Sequence, residues 1–196
     1  MKTMAWDVDD VLNDLMRAWF DLAWRPRNPT CPVRYEQLTE NPPHAILGTT
    51  IDDYRRSLDA FRLSGAGADL PPNPLLLEWF QTFGSRARHL AITAVPLRAA
   101  SRSAAWVMRH FGRWIRTFHV VPTPRDDDPA PAYEQDKAES LKRFRDVDVF
   151  VDDTPCNLAA VAESGVKVVA FPRPWNTNRA SVRETLSLLA DLVQDG

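Results

Sequence analysis

The feature that most constrains the fold is a regular alternation of short apolar strands and amphipathic helices that begins near residue 88. A parallel pair of strands needs a crossover between them, usually a helix, so this alternation predicts a parallel sheet covered by helices on both faces. The expected fold class is therefore α/β, with a doubly wound sheet. Strands are predicted at residues 3–8, 88–93, 117–121, 147–151 and 166–171, and helices at residues 99–110, 133–144, 158–163 and 179–193.

Residues 14–78 do not follow this alternation. Apolar residues recur at helical spacing after the first strand and again at residues 51–61, with a proline-rich stretch between them. We therefore predict a mainly helical insertion at 14–78 and a core formed by residues 1–13 and 79–196.

Composition excludes several classes of protein. The chain has 196 residues, 44% apolar, with 24 Lys+Arg against 26 Asp+Glu. This charge balance argues against a nucleic-acid polymer as partner, and no apolar run approaches the roughly 20 residues of a membrane span. Two cysteines are too few for a disulfide scaffold. We expect a cytoplasmic protein without membrane contact, and the sequence leaves its oligomeric state open.

Polar residues stand where the predicted strands end, and ligands of an open parallel sheet bind beyond those carboxyl ends. Clustered carboxylates repel one another unless a cation intervenes, and carboxylate oxygens with water suit Mg²⁺. Together with a lysine and a hydroxyl, such a metal site would bind a phosphate group. The residues concerned are Asp7, Asp9, Thr93, Lys137, Asp152 and Asp153.

The motifs DVDDVL, AIT, DKAESLKRF and VFVDDTP occur in an order that resembles the haloacid dehalogenase-like (HAD) phosphohydrolase superfamily. The bacterial receiver domain uses similar residues, but there the paired acids come first, whereas here a pair also follows the lysine. The HAD resemblance implies the Rossmann-like HAD core, with Asp7 as nucleophile and Asp9 as general acid and base. Thr93 and Lys137 would bind the phosphoryl group.

The same resemblance implies a Mg²⁺ site made by Asp7, the backbone carbonyl of Asp9 and Asp152, with Asp153 orienting these ligands. Two departures from the family pattern stand out: Asp10 occupies the position usual for glycine, and residues 154–157 lack the third acid of many members.

The insertion falls where the family places a substrate-selecting cap. The small helical cap and the tripeptide Pro174-Trp175-Asn176 are most similar to the 5'(3')-deoxyribonucleotidase group. The expected function is a Mg²⁺-dependent phosphomonoester hydrolase acting through an aspartyl-phosphate on a small phosphorylated substrate, here a nucleoside monophosphate. The alternatives are a phosphatase of a sugar phosphate or another small metabolite, and a noncatalytic binding protein of the same fold.

Two further groups of residues have alternative interpretations. Arg98 and Arg102 could contact a second anionic group of the substrate or could face solvent at a helix start. Trp19, Phe20 and Trp24 could stack on a base, but their helical spacing is more typical of a buried core.

Overall fold

The computed structural model describes residues 1–129, 131, 133–144 and 146–194. Within it, five strands form a single sheet in the order β3-β2-β1-β4-β5, and every neighbouring pair is parallel. The predicted α/β class is thereby confirmed. The strands are β1 (Thr3–Trp6), β2 (Arg88–Val95), β3 (Ile115–Pro122), β4 (Val149–Asp152) and β5 (Lys167–Ala170).

Nine α-helices accompany these strands in the described residues. They are α1 (Leu15–Trp19), α2 (Arg25–Arg27), α3 (Ile51–Arg62), α4 (Gly65–Ala68), α5 (Pro74–Phe83), α6 (Leu97–Phe111), α7 (Lys137–Leu141), α8 (Pro155–Ala162) and α9 (Val182–Gln194). A π-helical turn, Phe20–Trp24, connects α1 to α2. None of the helices in these parts of the chain is long and apolar enough to cross a membrane.

The sheet is buried on both faces. Along β1, Met4 and Trp6 join an apolar cluster with α5, α6 and α9, whereas Ala5 joins a second cluster with α7 and α8. This alternation follows from the two-residue period of a strand, which sends successive side chains to opposite faces. Helices cover both faces of the sheet, so its carboxyl edge is the part left to hold a ligand.

The segment between β1 and α5, residues 14–73, forms a helical insertion with an apolar cluster of its own. Trp19, Phe20 and Tyr54 are buried in this cluster, together with Trp175 from the chain after β5. The boundary predicted at residue 78 falls inside α5, and α5 packs on the sheet through Leu76.

Two predicted boundaries differ from the structure for identifiable reasons. The helix predicted at residues 133–144 is α7 alone, because the Asp136 side chain accepts the Glu139 N–H at 2.8 Å and begins the helix at Lys137. The first strand ends at Trp6 rather than residue 8. Its pairing stops there because the chain turns at Asp9 and Asp10.

Candidate active site

Three carboxylates meet at the carboxyl edge of the sheet and form what we call the carboxylate cluster: Asp7, Asp152 and Asp153. One oxygen of each lies within 4.8 Å of one oxygen of the others, and all three residues are buried. Pairing of β1 with β4 produces this proximity, since the Asp7 N–H donates to the Val151 carbonyl at 2.9 Å. The predicted convergence of residues far apart in sequence is therefore present.

Lys137, the first residue of α7, bridges two members of the cluster. Its Nζ lies 2.7 Å from Asp7 Oδ1 and 2.7 Å from Asp152 Oδ2, and the side chain is 3% exposed. Burial raises the pKa of Asp7 well above its ordinary value, opposed by Lys137 and reinforced by Asp152 and Asp153. Burial acts against the charge of Lys137, but the two carboxylates outweigh it and raise the lysine pKa.

Three carboxylates beside one ammonium leave an excess of negative charge in a buried place. A second cation or bound protons must balance it, because an uncompensated charge is costly in a low-dielectric interior. Hard oxygen donors clustered in this way fit Mg²⁺. The donor set of the cluster is therefore compatible with the metal expected from the sequence.

Asp152 and Asp153 differ in their hydrogen bonds. Both oxygens of Asp152 are engaged: Oδ1 accepts the Thr154 N–H at 2.7 Å, Oδ2 accepts from Lys137, and Asn157 Nδ2 lies 3.2 Å from each. Asp153 Oδ2 accepts the Trp175 indole N–H at 2.6 Å, while Oδ1 has no donor among the described residues. This arrangement favours Asp153 over Asp152 as the metal ligand, the reverse of the roles expected from the resemblance.

Burial also raises the pKa of Asp153 to about 7, with the charges of Asp152 and Asp10 adding to the shift and Lys137 opposing it. The residues that orient Asp153 come from the segment after β5. Trp175 binds its carboxylate, and Asn176 Nδ2 donates to its backbone carbonyl at 2.8 Å. The Trp-Asn pair that the resemblance associated with nucleotidases thus supports the cluster rather than reaching toward a base.

Asp9 lies outside the carboxylate cluster and is paired with an arginine of the insertion. Arg62 Nε and Nη2 donate to Asp9 Oδ2 at 3.1 and 3.0 Å. Asn13 Nδ2 lies 3.3 Å from the other oxygen, Oδ1. The carboxylate expected to act as acid and base is therefore held in a fixed orientation by a cation from α3. That its backbone carbonyl binds a metal stays a prediction.

Asp10 explains one departure from the family pattern. It has φ 62° and ψ 9°, the left-handed region that glycine adopts readily and aspartate tolerates. Its Oδ1 accepts the Met16 N–H at 2.9 Å, its N–H donates to Asn13 Oδ1 at 3.1 Å, and its carbonyl accepts from Arg173 Nε at 2.6 Å. Burial raises its pKa to about 7, opposed mainly by Arg173. Asp10 thus stabilises the turn that presents Asp9.

Thr93, near the end of β2, faces the same space. It is 1% exposed and lines a cavity of about 160 Å³ with Asp7, Asp9 and Lys137. The insertion supplies the opposite wall of this cavity. The residues of the insertion that line it are Leu15, Met16, Asn41, Tyr54, Leu58 and Arg62.

The structure shows where the residues with alternative interpretations lie, and contact of Arg98 or Arg102 with a substrate anion stays a prediction. Trp19, Phe20 and Trp24 are buried in the apolar cluster of the insertion, as expected for core residues. Arg98 Nη1 binds Asp127 at 2.7 Å, and Arg102 donates to a backbone carbonyl of the insertion. Neither arginine is among the described residues that line the 160 Å³ cavity.

Comparison with known proteins identifies the fold. No protein-family model and no curated protein matches this sequence. A haloacid dehalogenase-like family hydrolase from Streptococcus pneumoniae matches with a TM-score of 0.62 at 10% identity, over 98% of each chain. The chain has the HAD-like fold. A HAD-superfamily hydrolase of subfamily IA from Geobacter sulfurreducens gives a TM-score of 0.51 at 20% identity, over 96% of each chain.

A 2-haloacid dehalogenase from Pseudomonas syringae pv. Tomato has a TM-score of 0.50 at 17% identity, over 97% of this chain and 100% of the other. Structures of the HAD-like fold therefore include proteins named for different reactions. At these identities the likeness concerns the fold alone, so the chemistry must be argued from the site.

Sequence reasoning missed the partners that orient the site. Arg62 and Asp59 on α3 were not singled out, although the half-buried Arg62 binds Asp9 and the buried Asp59 binds Arg62. From the sequence, Arg173 and Trp175 could equally border the site or serve loop packing, and the structure shows them bound to Asp10 and Asp153. The signal in each case is a tertiary contact, which spacing along the chain does not encode.

Proposed function

We propose that this protein is a Mg²⁺-dependent phosphomonoester hydrolase that acts through an aspartyl-phosphate on Asp7. The observation that carries the proposal is the position of Lys137, whose ammonium lies 2.7 Å from both Asp7 and Asp152 and whose side chain lines the 160 Å³ cavity. A lysine between a nucleophilic carboxylate and a second acid can neutralise a transferring phosphoryl group.

The metal would be held by Asp7 and Asp153, with Asp152 supporting the site through Lys137. Mg²⁺ bound there would neutralise phosphoryl oxygens as negative charge develops on them. Asp7 is fixed for attack because its Oδ1 accepts both the Val8 N–H at 2.7 Å and the lysine. Thr93 would donate its hydroxyl to the same phosphoryl group.

The reaction would proceed in two balanced steps. An Asp7 oxygen forms a bond to phosphorus while the bond to the leaving oxygen breaks, and protonated Asp9 gives its proton to that oxygen. A water then attacks phosphorus, Asp9 takes the water proton, and the Asp7–phosphorus bond breaks to release phosphate. Arg62 holds Asp9 Oδ2 with two donors and Asn13 contacts Oδ1 only at 3.3 Å, so Oδ1 is the oxygen that would exchange the proton.

Dehalogenation fits the site less well. A halide leaves as an anion and needs no proton, so dehalogenation would require no proton donor at Asp9 and no Arg62 to orient it. Displacement of a halide by a carboxylate needs no metal, and without a metal the three carboxylates would repel the anion of a small haloacid. Both considerations favour phosphoryl transfer.

The substrate class we propose is a small phosphomonoester, with a nucleoside monophosphate as the first candidate and a sugar phosphate as the alternative. The support for the nucleotide is the sequence resemblance of the cap and the tripeptide at residues 174–176. Since Trp175 and Asn176 bind Asp153, base selection must come from the insertion, where Tyr54 and Asn41 line the cavity.

The test is phosphate release by the purified protein, with and without Mg²⁺, across nucleoside and sugar monophosphates. Asp7→Asn should abolish turnover without unfolding the protein, and Asp21→Asn, which changes an exposed acid of the insertion, is the matched control. Metal-dependent release that survives in Asp7→Asn would refute the mechanism. Tight phosphate binding without turnover in the wild type would favour the noncatalytic alternative.

A further inference from the structure

A buried carboxylate of the insertion, Asp59, is surrounded by three guanidinium groups. It is 2% exposed. Arg125 lies closest, with Nε 2.8 Å from Asp59 Oδ2 and Nη2 3.3 Å from Oδ1. Arg62 Nη1 lies 3.0 Å from Oδ1, and Arg98 Nη2 lies 3.5 Å from Oδ2. Buried charges are tolerated when they are paired in this way.

These arginines come from two parts of the fold. Asp59 and Arg62 are one turn apart on α3 of the insertion, whereas Arg98 begins α6 and Arg125 follows β3, both in the core. Asp59 is therefore bound from its own helix and from the core at once. If the insertion moved away from the core, Asp59 would lose the partners that the core supplies.

Arg62 extends this network to the candidate active site. One of its terminal nitrogens binds Asp59, while the other and Nε bind Asp9. A guanidinium is planar and its donors have a fixed geometry, so holding one edge on Asp59 determines where the other edge lies. The orientation of Asp9 thus depends on Asp59 through a single rigid group.

We propose that Asp59 is a positioning residue, which holds Arg62 against Asp9 only while the insertion is docked on the core. The proposal rests on the proposed function, in which Asp9 transfers the proton. Docking of the insertion and alignment of the proton-transfer group then become one event. With the insertion docked, the substrate is shielded from water and Asp9 is correctly oriented. With the insertion undocked, Asp9 loses the Arg62 guanidinium.

The test compares Asp59→Asn with Asp52→Asn, which removes an exposed acid from the same helix. We expect Asp59→Asn to lower kcat by about 10- to 100-fold, as a misplaced catalytic group does, with less effect on KM. The Mg²⁺ concentration for half-maximal activity should not change, because Asp59 is outside the carboxylate cluster. Asp52→Asn should behave as wild type.

A second readout needs no turnover. The two cysteines of the chain, Cys31 in the insertion and Cys156 in α8, are free thiols and can carry spin labels. Pulsed electron paramagnetic resonance should give one narrow distance distribution for the wild type and a broader or longer one for Asp59→Asn. An unchanged distribution in a folded Asp59→Asn protein would overturn the docking role.

Arg125→Gln covers the case in which Asp59→Asn fails to fold, since it removes one core partner and leaves Arg62 and Arg98 on Asp59. It should reduce kcat in the same direction, and its effect should not add to that of Asp59→Asn. If the wild type is active and both variants have a normal kcat, the positioning role of Asp59 is overturned and the proposed function is not. An inactive wild type with a normal fold overturns the proposed function and this proposal together.

Discussion

Lys137 offers the sharpest test of the site, because one substitution affects both stability and chemistry. In Lys137→Met the side chain keeps nearly its length and loses its charge. The variant leaves three buried carboxylates within 4.8 Å of one another with no ammonium between them. The exposed Lys142, in the turn that ends α7, supplies the matched control Lys142→Met.

The expected loss of stability follows from the burial of the pair. Removing one partner of a buried ion pair costs about 3–5 kcal/mol, because the remaining charge stays desolvated. Folded domains are stable by about 5–15 kcal/mol, so Lys137→Met should still fold but with much less margin. Loss of the cation beside the phosphoryl group should also lower kcat by about 100-fold or more.

The loss of stability caused by Lys137→Met should depend on pH. Burial raises the pKa of Asp7 well above its ordinary value and that of Asp153 to about 7, and Lys137 opposes both shifts. Acids with a raised pKa bind more protons in the folded than in the unfolded state, so the free energy of unfolding falls as pH rises. Without the ammonium this dependence steepens. The deficit of Lys137→Met should therefore be larger at about pH 8 than at about pH 5.

The assay is urea unfolding followed by tryptophan fluorescence, at both pH values and with and without Mg²⁺. The urea midpoint of Lys137→Met should lie below that of the wild type, and the gap should be larger at the higher pH. Adding Mg²⁺ should close part of this gap. An unfolding midpoint equal to that of Lys142→Met at both pH values would refute the argument that the lysine compensates buried carboxylates.

Two other changes test neighbouring parts of the structure. Trp175→Phe removes the 2.6 Å hydrogen bond to Asp153, so the Kd for Mg²⁺, measured by calorimetry, should rise by about 10-fold or more; an unchanged Kd would contradict the role of Trp175. His89 is buried and accepts the Trp6 indole N–H at 3.0 Å, and burial lowers its pKa from 6.5 to about 4. The neutral, buried imidazole contributes about 3 kcal/mol to the free energy of unfolding. This contribution is complete above pH 6.5 and is lost as pH falls toward 4. Between pH 6.5 and pH 4 the free energy of unfolding should therefore fall more in the wild type than in His89→Gln. Parallel curves of unfolding free energy against pH for the two proteins would contradict this prediction.

The sheet could be predicted because its signal is local and repeated. Each strand is a short apolar segment followed by a helix, and crossover connections force such strands to be parallel. Convergence of Asp7, Lys137 and Asp152 followed from the same logic, since the carboxyl ends of parallel strands share one edge. The order of the strands and the lengths of the helices could not be predicted from this local signal, because they depend on which faces of the elements pack together.

The turn at Asp10 illustrates a different limit. Its residue type departs from the glycine of the family pattern, and the sequence offers no reason why an aspartate is suitable there. The structure supplies the reason, because the residue has a left-handed backbone, its carboxylate accepts the Met16 N–H, and its own N–H and carbonyl bond to Asn13 and Arg173. Such a position is determined by Met16, Asn13 and Arg173 together, and the last of these is 163 residues away.

Helix α3 shows why the partner of Asp9 was beyond sequence reasoning. Two of the three Asp-x-x-Arg spacings in this helix form ion pairs, Asp53 with Arg56 and Asp59 with Arg62. The first pair is a surface pair, with side chains 54% and 74% exposed, and pairs of that kind contribute little to stability. The second pair has exposures of 3% and 15% and lies between Asp9 on one side and Arg98 and Arg125 on the other. Spacing along the helix makes the two pairs equivalent, and they become distinct only because Arg98 of α6 and Arg125 after β3 bind Asp59 in the folded protein. The chemistry of the site therefore depends on contacts that form when the insertion docks on the sheet.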